Sequence, residues 1–142
     1  TQGVSSAASD VYKRQYEGLV TSIRAGERIA FFPEGTTAAQ GTLLPFHPNL
    51  FEAAIEAGVP VQPYVLRYVD AQGNLHGAAD FIGDMTFVDS MLLIMKTRQM
   101  TAQLTLLPTI SSVDEHRRDL SQKARQAIAG KLGYDGQPGA AS

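Results

Sequence analysis

Cysteine and tryptophan are both absent from this chain of 142 residues. Without cysteine the chain has no disulfide, no thiolate zinc site and no cysteine nucleophile. No apolar run approaches the roughly 18 residues that a membrane-spanning helix needs. A net charge of −2 and the lack of any lysine–arginine run give no electrostatic basis for binding nucleic acid. The motifs of serine hydrolases, P-loop NTPases and dinucleotide-binding enzymes are also missing, which counts against those three classes.

The residues that are present have the proportions of an ordinary globular chain, 44% hydrophobic and 18% charged. At this length the chain is one domain or part of one. Helical and strand-like patterns alternate, which predicts an α/β fold: a layered mixed sheet with flanking helices. The predicted helices are 16–25, 48–57 and 87–95, with a last helix that begins at the capping box 112–115 and ends before Gly133. The predicted strands are 28–32, 61–69 and 101–107, with a turn at 70–74.

Three of these segments carry a prediction about burial. Strand 28–32 is apolar and is expected to be buried, and 101–107 alternates polar with apolar residues, as a half-buried strand does. Residues 91–95 (MLLIM) are open to two interpretations. They form either a packed helix face, which is favoured, or a surface that touches acyl chains or a bilayer.

The most informative segment is 31–37, Phe-Phe-Pro-Glu-Gly-Thr-Thr. Pro33 cannot donate to a sheet ladder, so it ends the preceding strand. Gly35 allows a positive φ or a close approach of the backbone to a ligand. The polar residues around it lie at the carboxyl end of a strand, where open α/β sheets bind ligands, and the loop runs on to about His47, longer than usual. The pattern predicts a site and leaves its chemistry open.

Three blocks, F-P-E-G-T at 32–36, L-L-P-F at 43–46 and V-P-V-Q-P at 59–63, together resemble the lysophospholipid (1-acylglycerol-3-phosphate, or glycerolipid) acyltransferase family over about 16–107. The resemblance implies transfer of an acyl group from acyl-CoA or acyl carrier protein to the hydroxyl of a lysolipid, in phospholipid biosynthesis. It implies no cofactor beyond this co-substrate and no metal. The implied location is peripheral, on the cytoplasmic face of the bacterial inner membrane.

The most important departure from the family concerns the catalytic residues. The family's catalytic His-x4-Asp pair lies upstream of F-P-E-G-T, whereas this chain has no histidine before His47. We therefore expect the C-terminal portion of an acyltransferase domain at 16–135, with no catalytic residue and no activity alone. Because 4–15 lacks apolar periodicity, 1–15 is expected to be a non-native or disordered leader, with a native polar loop as the alternative. Residues 136–142 are expected to form a disordered tail.

The resemblance places substrate binding at Glu34, Gly35, Thr36 and Thr37. Glu34 either contacts the acceptor or fixes the loop; the simpler interpretation is a carboxylate that holds backbone amides. Thr37 stands where the family often has an arginine, and threonine offers no charge for a phosphate. A different headgroup, such as that of a lyso-ornithine lipid or another lysolipid, is therefore an alternative to a glycerol phosphate.

Two further points stay open at the level of sequence. His47 has no partner at metal-ligand spacing, so a metal role is disfavoured and contact with an anionic headgroup is the alternative. A function of a different class is a non-catalytic α/β module that binds a lipid or a partner. Because a base has to accept the proton of the acceptor hydroxyl, a His-x4-Asp motif encoded upstream would decide between the two.

Overall fold

A computed structural model describes residues 2–36, 41–76 and 87–134. Within these ranges the helices are α1 (Gln2–Arg24), α2 (Asn49–Ala57), α3 (Phe87–Met95) and α4 (Arg117–Leu132), and the strands are β1 (Tyr64–Val69) and β2 (Thr101–Leu106). The described part of the chain is therefore mixed α and β, with helices flanking a sheet. The sheet differs from the prediction: it consists of two antiparallel strands and not of a larger mixed layer.

Helix α1 begins at Gln2, so its predicted start at residue 16 was wrong. Alanine, glutamine, lysine and arginine are good helix formers, and no proline interrupts the segment. Tyr16 donates a hydrogen bond of 2.7 Å to the Glu56 carboxylate, and Arg24 donates to the Glu56 carbonyl. Burial, and then the bond to Glu56, raise the pKa of Tyr16. These contacts attach α1 to α2, and whether 1–15 belongs to the fold stays a prediction.

The core lies between α2 and α4. Helix α2 ends at Gly58, whose φ of 69° lets its N–H bond the carbonyls of the last turn, as predicted. Phe51 of α2 packs against Leu120 and Ala124 of α4, and all three side chains are buried. Phe31 meets the Phe51 ring edge-on at a centroid distance of 5.4 Å. The burial of the Phe51 ring removes a large apolar surface from water, and this makes a large contribution to the stability of a chain of this length.

The predicted buried strand at 28–32 is wrong. The structure has no strand there, and Phe32 is 70% exposed. Its ring makes an edge contact with Tyr64 of β1 and is otherwise open. A strand exists through the hydrogen bonds of a neighbouring strand, and no described strand pairs with this segment. An apolar sequence pattern alone does not supply that neighbour.

Strands β1 and β2 pair in a register that places Tyr64 opposite Leu106 and Val69 opposite Thr101. The predicted start of β1 at residue 61 was early, although Val61 makes an isolated bridge to Ile110. Side chains alternate across a sheet, so opposed residues share a face. The face of Val65 and Thr105 is the covered one, because Val65 is buried and Thr105 half-buried.

The other face of the sheet is apolar and exposed. Leu104 and Leu106 of β2 lie on it, beside Leu66 of β1, and all three are exposed. The alternation along 101–107 therefore predicted a strand correctly, and the burial of its apolar side was wrong. Alternation marks two different faces; which of them is covered depends on what packs there.

The turn after β1 forms as predicted. Asp70 Oδ1 accepts hydrogen bonds from the backbone N–H groups of Gln72 and Asn74, both at 2.9 Å. Gly73 takes a φ of 83°, which suits glycine. The hydrogen bond from the Asn74 backbone is the main cause that lowers the pKa of Asp70.

Helix α3 has the predicted bounds, and its predicted packing is wrong. The apolar side chains that the structure describes on it are between 38% and 73% exposed: Val88, Met91, Leu92, Leu93, Ile94 and Met95. A helix that is apolar all round does not reveal from its pattern which side is covered. None of the described helices has both the length and the hydropathy to cross a membrane.

Helix α4 begins at Arg117, so the capping box predicted at 112–115 is wrong. His116 caps the helix by accepting the N–H of Arg118. Ser112 is buried and donates to the Ala54 carbonyl of α2, and Glu115 pairs with Lys123. The predicted stop at Gly133 is confirmed by its φ of 77°. The predicted tail at 136–142 lies outside the described residues.

Candidate functional site

The loop 33–47 lies between segment 28–32 and α2, and its ends are tied together. The backbone N–H of His47 donates to the Pro33 carbonyl at 2.8 Å. The N–H of Gly35 donates to the Phe32 carbonyl at 3.2 Å. Loops whose ends are joined in this way often carry function.

Glu34 holds the two arms of this loop together. Its Oε2 accepts the backbone N–H of Leu44 at 2.9 Å, and both residues are half-buried. A charged acceptor makes a stronger bond to an N–H than a neutral one. Of the two roles considered for Glu34, this hydrogen bond corresponds to fixing the loop. A direct contact between Glu34 and an acceptor stays a prediction.

Gly35 is required on two grounds. Its φ of 71° is in the left-handed region, which residues with a Cβ rarely adopt. A Cβ there would lie 3.0 Å from Cδ2 and 3.1 Å from Nε2 of the His47 ring. The imidazole of His47 therefore lies against the backbone of the F-P-E-G-T segment, within the site that the sequence predicted. Thr36 is exposed beside them, and Thr37 lies outside the described residues.

Two residues that sequence reasoning missed complete the loop. Arg125 of α4 donates from Nη2 to the Leu43 carbonyl at 2.6 Å and from Nε to the Leu44 carbonyl at 3.1 Å. The Tyr134 hydroxyl accepts the N–H of Gly41 at 2.9 Å. The sequence offers one indication of a role for Arg125. It is a cation that directly follows Ala124, a buried residue on the core-facing side of α4.

An apolar groove of about 680 Å³ opens beside the loop. Its walls come from α1, segment 28–32, α2, β1 and α4, and Glu34 lies at its edge. The volume is within the range of small-molecule sites, which join apolar walls to a few polar groups. The apolar wall residues include Leu19, Ile23, Phe46, Leu50, Val59 and Ile128. Such a groove suits a molecule with an apolar chain and a polar end.

Across residues 2–36, 41–76 and 87–134, no three histidine, aspartate or glutamate side chains are grouped so as to hold a metal ion. The described contacts of the site join Glu34 to Leu44 and Leu44 to Arg125 by hydrogen bonds, and they place Gly35 against the His47 ring.

Comparison with known proteins supports the resemblance seen in the sequence. Residues 6–67 match the family model named Acyltransferase, a stretch that contains the whole loop. The lyso-ornithine lipid O-acyltransferase of Pseudomonas aeruginosa is 33% identical over 110 residues, which is 78% of this chain and 42% of that protein. The 1-acyl-sn-glycerol-3-phosphate acyltransferase of Neisseria gonorrhoeae is 27% identical over 115 residues, 80% of this chain and 45% of that protein.

A lyso-ornithine lipid O-acyltransferase of Rhodobacter capsulatus is 28% identical over 127 residues, 85% of this chain and 46% of that protein. The predicted resemblance is confirmed: the Acyltransferase model matches residues 6–67, and these relatives, all acyltransferases by name, match about 80% of this chain. It spans less than half the length of these relatives. No solved structure matches the chain.

Proposed function

We propose that this chain is the acceptor-side part of an acyltransferase of lipid biosynthesis. The acyl group would pass from acyl-CoA or acyl carrier protein to the hydroxyl of a lysolipid. The observation that carries the proposal is the tied loop 33–47, which lies inside the family match and is braced by Glu34 and Arg125. Preorganised loops position substrates without paying for ordering at each turnover.

The chemistry needs a base that the 142 residues do not contain in the family's form. A base takes the proton of the acceptor hydroxyl, the oxygen attacks the thioester carbonyl, and the thiol leaves after receiving a proton. No His-x4-Asp occurs anywhere in this sequence. Because the relatives are more than twice as long as the matched part, we propose that the base lies in further sequence of a longer protein.

We propose that Thr36 and Thr37 bind the acceptor and that Gly35 allows its close approach. The acceptor we propose is a lysolipid whose headgroup needs no arginine at position 37, such as a lyso-ornithine lipid. Relatives of both acceptor types match the chain, so the assay has to offer both. We propose a peripheral location on the cytoplasmic face of the bacterial inner membrane, with no metal and no cofactor beyond the acyl thioester.

The test is acyl transfer from radiolabelled acyl-CoA and acyl–acyl carrier protein to lyso-ornithine lipid and to 1-acylglycerol-3-phosphate. Two proteins are compared: this chain alone, and a chimera that carries the N-terminal half of the Pseudomonas relative. We expect activity in the chimera, and in the chain alone a loss on the order of a hundred- to ten-thousand-fold, the usual cost of a missing general base. The control is the same chimera with the histidine of its His-x4-Asp changed to alanine.

Activity of the isolated chain would contradict the need for further sequence. A folded chimera without activity on either acceptor would favour the alternative, a non-catalytic lipid-binding module. Glu34→Gln in the active chimera tests the loop: acceptor use should fall more than hydrolysis of the thioester by water. Glu27→Gln, which changes another carboxylate at the groove, is the matched control.

A further inference from the structure

Helix α3 exposes apolar side chains on every side. Residues 91–95 are five consecutive apolar residues, and an α-helix turns once in 3.6 residues. They therefore cover more than a full turn, and each is at least 38% exposed, with Met95 at 73%. No side of this turn is covered by protein to the degree seen in the core. Large exposed apolar surfaces mark interaction sites.

The charges at the two ends of α3 differ. Lys96 and Arg98 follow the helix directly and are both exposed. Asp89 lies in the first turn, about 10 Å from Lys96 along the axis at the usual rise per residue. The C-terminal end is thus an apolar turn followed by two cations. Cations next to apolar side chains are one feature of helices that bind an anionic membrane surface.

We infer that the surface formed by residues 91–95 with Lys96 and Arg98, here called the α3 surface, is where this chain contacts an anionic lipid bilayer. The inference rests on the proposed function in one respect, since an acceptor lysolipid is drawn from a bilayer. The apolar turn enters the boundary of the acyl chains, and the two cations meet lipid phosphates. At nine residues, or about 14 Å, the helix lies in the interface and does not cross a hydrocarbon core of about 30 Å.

An anionic lipid surface fits the charge as well as the apolar character of the α3 surface. Lys96 and Arg98 are both exposed after the apolar turn, and the phosphates of an anionic membrane attract such cations. A fluid apolar phase can meet all sides of a partly immersed helix, and methionine adapts to such irregular surroundings.

The lack of tryptophan allows a direct test. Met95→Trp introduces a single indole into the 142-residue chain, and its emission is measured with vesicles of phosphatidylglycerol and phosphatidylcholine. We expect a shift to shorter wavelength on these vesicles and a much smaller one on pure phosphatidylcholine. Val113→Trp is the matched control, because Val113 is similarly exposed, at 67%, and lies outside α3. It should show no shift.

Co-sedimentation with the same vesicles measures the affinity. Leu92→Asp is expected to weaken binding on the order of tenfold, because burying a carboxylate opposes insertion. Removing both cations by Lys96→Ala with Arg98→Ala should weaken binding to anionic vesicles roughly tenfold to thirtyfold, from about 1 kcal/mol per cation. The controls are Val113→Asp and the pair Arg118→Ala with Lys131→Ala, which also removes two exposed cations. Circular dichroism verifies that each variant is folded.

Four results would overturn the inference. They are no vesicle binding by the unmodified chain, an equal shift in Val113→Trp, an equal loss in the controls, and self-association that Leu92→Asp abolishes without any vesicle binding. The vesicle assays require no catalysis, so the two proposals fail separately. An inactive chimera that binds vesicles through α3 would contradict the proposed acyltransferase function and support the α3 surface as a membrane contact. An active chimera without such binding would support the function and contradict the membrane contact.

Discussion

The loop 33–47 and the helix α3 are two connecting segments that differ in how many contacts hold them to the rest of the chain. The loop contains the carboxylate and hydroxyls of the candidate site, and Arg125 and Tyr134 hold it from a distant part of the chain. Helix α3 is almost entirely apolar, yet its described apolar side chains are exposed. In a globular protein, an apolar segment is ordinarily the one that is buried against the rest of the chain, and a polar segment is the exposed one. The reversal indicates that the loop is built to keep its shape, whereas α3 is built to meet something outside the chain.

The largest effect that separates the two segments is expected at Arg125. Arg125→Ala removes two hydrogen bonds from a charged donor to the Leu43 and Leu44 carbonyls. We expect the free energy of unfolding in urea to fall by about 2–3 kcal/mol, and Arg125→Lys to recover part of it, because lysine lacks the planar fork. Arg118→Ala on the exposed side of α4 should stay within about 0.5 kcal/mol. A loss at Arg125 no larger than at Arg118 would show that the loop is not held from α4.

Glu34 should follow with a somewhat smaller effect. Glu34→Ala leaves the N–H of Leu44 without its acceptor, which typically costs about 1–2 kcal/mol for a half-buried group. Glu34→Gln keeps an acceptor oxygen and should cost less. The same denaturation experiment on Glu27→Ala, an exposed glutamate, gives the baseline. Equal values for the two alanine variants would mean that the carboxylate does not brace the loop.

Gly35→Ala is expected to cost about 1–2 kcal/mol from its positive φ, plus the cost of turning the His47 ring away. Gly73→Ala is the control for φ alone, because it has a φ of 83° and no neighbouring atom in the way. The first variant should be the less stable of the two. In a His47→Ala background the difference should disappear. If it persists, the contact with His47 does not contribute to the requirement for glycine.

The smallest effect is expected in α3. Met95→Asp should change the free energy of unfolding by less than about 0.5 kcal/mol, as exposed positions do, while altering vesicle binding. A loss above about 1 kcal/mol would show that α3 packs against protein, and the contrast between the two segments would no longer hold.

Features that neighbouring residues determine were predictable from the sequence. Helix α2, its stop at Gly58 and the turn at 70–74 each depend on contacts within a few residues. The start of α4 was not predictable in this way. Ser112 has the sequence context of a helix cap, but its hydroxyl bonds Ala54 of a different helix. A tertiary hydrogen bond therefore determines the position of Ser112, and the local capping pattern does not. In the same way, segment 28–32 is not a strand because no described strand pairs with it.

In the candidate site, too, the residues defined by local sequence were predictable and those defined by tertiary contacts were not. Glu34 and Gly35 were identified because a strand end, a proline and a glycine stand next to each other in the chain. Their supporting residues Arg125 and Tyr134 lie 81 to 93 positions from the loop groups they contact. Sequence spacing carries no information about such pairs. The acceptor role of Glu34, Gly35, Thr36 and Thr37 stays a prediction until the chimera is assayed.

The pairing of Val69 with Thr101 has a consequence for engineering. Paired residues of antiparallel strands have Cα atoms about 5 Å apart, so the chain leaves the sheet and returns to it at nearly the same point. Residues 70–100, which include α3, are therefore an insert between two adjacent anchor points. Such an insert can be exchanged as a cassette with little entropic penalty for a change of length. Cassettes of different hydrophobicity and charge would give a series of proteins that share the loop 33–47 and differ in the surface that they bind.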